Sequence, residues 1–141
     1  MEKRRRTLRS DPEVQVKAAI AAALLGVAVQ GGACELPAGG YFVDSPRYSL
    51  SYRTQPGRIS VGEHFALDFS VCAKDGRPAP SAAKVDAWMP AHKHGMNYKA
   101  EVKSYGGGRF YATGLMFHMP GQWQFLFDID GERIAENIPI E

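Results

Sequence analysis

From residue 47 onward, hydrophobic and polar residues alternate with a period of two. Phe65, Leu67, Phe69 and Val71 alternate with Ala66, Asp68, Ser70 and Cys72; Trp123, Phe125, Phe127 and Ile129 alternate with Gln122, Gln124, Leu126 and Asp128. Successive side chains of a strand point to opposite faces, so each run predicts a strand with one buried face. Asp130-Gly131 follows the second run and precedes Ile134, Ile138 and Ile140, the signature of a tight hairpin. Gly106-Gly107-Gly108 marks another turn, between strand patterns at 98–105 and 109–118. Weaker patterns cover 47–54 and 83–89, set off by Gln55-Pro56-Gly57 and Asp75-Gly76-Arg77-Pro78. About seven short strands, with regular turn signals and no amphipathic helix, predict an all-β chain: a single antiparallel immunoglobulin-like β-sandwich over 47–141. Residues 34–46, with Pro37, Gly39, Gly40 and Pro46, read as an irregular lead-in.

The first 33 residues have a different character. Lys3, Arg4, Arg5, Arg6 and Arg9 form a basic start, an apolar run of 12 residues covers 18–29, and Gly31-Gly32-Ala33 supplies small residues for cleavage. This is the three-part layout of an export signal, and the run is shorter than the ~20 residues of a membrane-crossing helix. The expectation is an exported, periplasmic protein whose only membrane association is through this segment, as a cleaved signal, an uncleaved anchor or a lipid on Cys34.

Export changes the meaning of the charge. The chain has 17 basic and 15 acidic residues, of which the first 33 carry 6 and 3, leaving 11 and 12 in the remainder. The apparent basicity belongs to the targeting segment, and no nucleic-acid-binding surface is indicated. Cys34 and Cys72 are the two cysteines. In an oxidising compartment they suit one disulfide, with lipidation of Cys34 or metal ligation by Cys72 as the competing uses.

The chemistry is concentrated in two runs, Met89-Pro90-Ala91-His92-Lys93-His94-Gly95-Met96-Asn97-Tyr98 and Met116-Phe117-His118-Met119-Pro120-Gly121. Together they hold three of the four histidines and four of the five methionines. Pro90 and Gly95 mark an exposed connection between strands. An extended His92-Lys93-His94 would project both imidazoles to one side, with Met96 on the same parity and Lys93 turned away. Loops at one end of a sandwich lie close together, so His118 or Met119 is expected to complete the set. Thioethers favour Cu(I), imidazoles accept copper or zinc, and neither run contains a carboxylate, so the candidate ion is copper, Cu(I) ahead of Cu(II). Against this stands a plainer use: methionines fill gaps in cores, and histidines near turns bond to backbone. His64, isolated, reads as structural or surface, and Trp88 and Tyr98 flank the first run and would shield it.

The segments Val85-Asp86-Ala87-Trp88-Met89-Pro90-Ala91-His92-Lys93-His94-Gly95-Met96-Asn97 and Gly114-Leu115-Met116-Phe117-His118-Met119-Pro120-Gly121-Gln122-Trp123 resemble the YtkA-like domain. That family, grouped with FixH-type proteins, comprises small exported or membrane-anchored bacterial β-sandwiches. The resemblance spans roughly residues 45–140. It implies copper handling or metallocentre assembly, with His92, His94, Met96, His118 and Met119 as ligands and a metalloprotein or oxidase as recipient. The spacing of His and Met differs from that of the better-known periplasmic copper chaperones, and the C-x-x-x-C of thioredoxin-like copper carriers is absent. An interaction module presenting 88–98 to a membrane or redox partner is the alternative. No nucleophile elbow, carboxylate pair or cofactor fingerprint points to an enzyme, and Cys72 has no neighbouring histidine for a blue-copper centre.

Overall fold

The inward row of the last alternation is the centre of the core. In a computed structural model, which describes residues 34–141, that segment is strand β8 (Gly121–Ile129), and Trp123, Phe125, Phe127 and Ile129 on it are completely buried. Its neighbours in chain order are β1 (Tyr41–Asp44), β2 (Tyr48–Gln55), β3 (His64–Ala73), β4 (Lys84–Met89), β5 (His94–Gly95), β6 (Glu101–Gly106), β7 (Arg109–Met116) and β9 (Glu132–Ile140). They pair antiparallel into a five-stranded sheet, β1-β2-β3-β7-β6, and a four-stranded sheet, β5-β4-β8-β9. The facing rows of the two sheets, Leu50, Tyr52, Leu67, Phe69, Val71, Phe110 and Ala112 against Val85, Ala87, Phe125, Phe127 and Ile134, fill the space between them. Burying each large side chain of this set contributes roughly 1.5–3 kcal/mol, which is why the period-two pattern so strongly selects this register.

Nine strands stand where about seven were expected. The seven longer ones match the seven sequence patterns, and the extra two are short. β1 lies within the 34–46 lead-in and adds to the edge of β2, with Tyr41 opposite Tyr52 and Asp44 opposite Ser49. β5 is two residues long and pairs His94 with Met89. Neither carries enough alternation to be seen in sequence. Lettered A to G in chain order, the seven longer strands form sheets A-B-E-D and C-F-G, the arrangement of a constant-type immunoglobulin domain. The embellishments differ. The buried tryptophan is on β8, while Trp88 on β4 is 38% exposed. The disulfide joins Cys34 to Cys72 of β3, rather than one sheet to the other.

That disulfide explains the double burial of β3. Ser70 and its cross-strand partner Ser51 lie on the outer face of the sheet, yet both are buried. Pro37 sits beside them, and the Ala38 carbonyl accepts a hydrogen bond from Arg53, so the lead-in lies along this face. With Sγ of Cys34 bonded to Cys72, neither cysteine is a free thiol. The expected export signal over 1–33 lies outside the described residues.

Candidate metal centre

Alternating strand directions bring the two His/Met runs to one end of the sandwich. β4 and β7 finish there and β8 begins there, so the connection after Met89 and the connection after Met116 share that end. In the register, Trp88 lies opposite Gln124 on one side and Gly95 on the other, and Met89 lies opposite His94. Met89 faces inward and is buried, so its partner His94 is drawn toward the core rather than into solvent.

Residues 90–93 are not extended. His92 N–H donates to the Met89 carbonyl and Lys93 N–H to that of Pro90, closing a turn in which Lys93 takes a φ of +54°. His92 and His94 are therefore not aligned by the parity of an extended strand, the alignment predicted from the sequence. The turn nevertheless places the His92 and His94 rings 5.7 Å apart, with His92 exposed and His94 half-buried. Lys93 is exposed.

The central pair is His94 and His118, whose ring centroids are 5.0 Å apart. Both pack edge-on against the indole of Trp123, at 5.7 Å and 5.4 Å. Trp123 in turn donates its Nε1–H to the carbonyl of Met119 at 3.0 Å, which pins the second run over the core. Met96 and Met119 are half-buried and pack against the core cluster. The five residues expected as a site thus come from two connections at one end, and the three imidazoles run His92, His94, His118 with His94 between the other two.

Two details bear on whether the set suits a metal. The Nδ1 of His94 lies 3.0 Å from the Gly95 carbonyl. A carbonyl only accepts, so this nitrogen is the donor, and in the neutral ring Nε2 keeps its lone pair; such an orienting bond is the usual companion of a ligating imidazole. The Nδ1 of His118 is buried and has no hydrogen-bond partner. An orphaned buried nitrogen costs about 1–3 kcal/mol unless something occupies it. Among the described residues, no three His, Cys, Asp or Glu side chains form a metal-holding group. A site with a third side-chain ligand would add a thioether, of Met96 or Met119, to the imidazoles, and that combination suits soft copper better than zinc.

Sequence reasoning missed the part played by Trp123. It stood out only as one member of an inward row, whereas Trp88 and Tyr98 were expected to shield the site. Tyr98 is instead 46% exposed and packs edge-on against His64. The five-residue separation of His118 from Trp123, across Pro120-Gly121, is the signal that was present.

A family model described as YtkA-like matches residues 48–127, from the start of β2 into β8, and includes both His/Met runs. No curated protein matches the chain.

Proposed function

The chain belongs to the YtkA-like family, and from that premise we propose that it is a periplasmic copper-binding protein, serving copper handling or metallocentre assembly. His94 and His118 hold the ion, His92 joins from the rim, and the thioethers of Met96 and Met119 supply soft ligands. The observation that carries the reading is the buried, partnerless Nδ1 of His118 beside a second imidazole 5.0 Å away. Copper supplies the thiophilic, exchangeable centre; the protein orients His94 through Gly95 and holds His118 against Trp123. The half-buried pair keeps water away from one side, while exposed His92 offers a first contact for an incoming or departing ion. A transfer partner, a metalloprotein or oxidase, would approach this end.

The test is an anaerobic Cu(I) competition titration against a chromophoric chelator, with the disulfide intact. The expected result is one tightly held equivalent, weakened at least a hundredfold in the His94→Ala/His118→Ala variant and less in His92→Ala. A wild-type protein that does not compete would sink the reading. The alternative, a docking module without metal, draws on exposed Trp88 and Tyr98 beside the same loop. It predicts partner capture that is indifferent to copper.

A further inference from the structure

The row of β9 that faces the core begins with Glu132 and carries a second charge in its middle. Ile134, Ile138 and Ile140 on that row are apolar, and Glu136 stands among them. Its orientation follows from the register: Glu136 lies directly opposite Phe125, a completely buried core residue, so both side chains point between the sheets. Among the described residues Glu136 has neither a hydrogen bond nor an ion pair, in contrast to Asp128 and Glu132 on the same hairpin, each of which meets an arginine.

Glu136 opens into a cleft of about 450 Å³ between the edge of β9 and the β1–β2 side of the other sheet. Tyr41 and Tyr52, cross-strand partners, stack there at 5.2 Å with an interplanar angle of 25°. Tyr52 is buried, but Tyr41, on the edge strand β1, is 60% exposed. Ile59 and Ile138 add apolar lining, and Arg58, on the loop after β2, contributes a positive charge. Burial holds the Glu136 carboxyl above its ordinary range. Burial also raises the Tyr52 phenol, with Glu136 and then Tyr41 adding to the effect.

An inward charge on an edge strand has a purely defensive use, since it discourages pairing with other chains. That use does not require a cleft, an aromatic stack or an apolar lining beside the charge. We propose that this cleft binds a small organic ammonium ion, with Glu136 as its counter-ion. The exposed ring of Tyr41 offers its π-face to the cation, and a short apolar body lies against Ile59 and Ile138. The cleft shares no residue with the His/Met set, so the inference stands apart from the copper reading.

The test is side-chain and amide NMR of the metal-free protein, titrated separately with n-butylammonium, n-butanol and n-butyrate. Butylammonium is expected to give saturable shifts at Tyr41, Glu136 and Ile138, while butanol gives none at the same concentrations. Glu136→Gln, which keeps the shape, should weaken binding at least tenfold, and Tyr41→Ala, at an exposed ring, should weaken it several-fold. Equal responses to butanol, or an affinity unchanged in Glu136→Gln, would leave only the edge-protecting role and overturn the proposal. Preferential binding of butyrate would overturn it too, by making Arg58 the governing charge.

Discussion

Trp123 connects core and candidate site by two routes, its ring face and its Nε1–H. The ring supports His94 and His118, and the N–H fixes Met119. Trp123→Phe retains most of the apolar volume but loses the hydrogen bond and the outer ring. A net loss of about 1 kcal/mol is expected for the hydrogen bond, with a further cost for the space left by the smaller ring. Chemical denaturation would measure that loss. Copper retention should fall in the same variant although no ligand has been removed, and the competition titration would register it. His64 provides the contrast. Its ring rests on Tyr98, so His64→Ala should leave copper retention unchanged.

At the scale of elements, the β6–β7 hairpin shows how a turn sets the packing of its neighbours. Gly108 has a φ of +77°, and its carbonyl accepts the Val71 N–H of β3. A Cβ at this position would stand 2.2 Å from the Val71 carbonyl oxygen. Backbone strain of a non-glycine residue in the left-handed region costs about 1–3 kcal/mol, and the clash adds to it. Gly108→Ala is therefore expected to destabilise by about 3 kcal/mol or more, a fall in Tm of at least roughly 10 °C for a domain of this size. Gly107→Ala has open space around the new methyl group, so it should lose only the strain term. Comparing the two melts separates conformation from collision. The triple glycine was legible as a turn; which of its members touches β3 was not, because that contact joins residues 37 positions apart.

For the whole molecule, a polar clasp joins the two sheets at the end away from the histidines. Arg47, just before β2, donates to Glu132 at the start of β9, and the Tyr48 hydroxyl donates to Asp130 in the adjoining turn. The Ser45 hydroxyl and then Arg47 hold the Glu132 carboxyl below its ordinary value of 4.5. Arg133 does the same for Asp128. A carboxyl depressed in the folded state stabilises the fold at pH values above its unfolded pKa, and that contribution is lost as pH falls through the folded value. Stability should therefore decline as the solution is acidified below about pH 4.5. The decline should be shallower in Glu132→Gln, as urea denaturation at stepped pH would reveal. Glu136 has the opposite sign: its raised carboxyl costs stability above the ordinary range, which partly offsets the acid loss. The Cys34–Cys72 bond encloses 37 residues and contributes roughly 3–4 kcal/mol in the chain-entropy account.

Local order along the chain was sufficient for the all-β class, the seven main strands and the buried rows, because a strand's side-chain period is a property of its own backbone. Composition was sufficient for the five candidate ligands, because imidazole and thioether are recognisable wherever they lie. The pairing of His94 with His118 came only from tertiary structure, since it depends on β4 and β7 ending, and β8 beginning, at the same end of two different sheets. The turn at 90–93 likewise depends on β5 docking beside β4, a two-residue contact with no periodicity to detect. The cleft at Glu136 is the clearest division between the two sources. Its misplaced charge is visible in the sequence as a glutamate among isoleucines, but Tyr41 lies 95 residues away. Only the stacking of one sheet against the other brings an unpartnered carboxylate and an exposed aromatic ring into the same space.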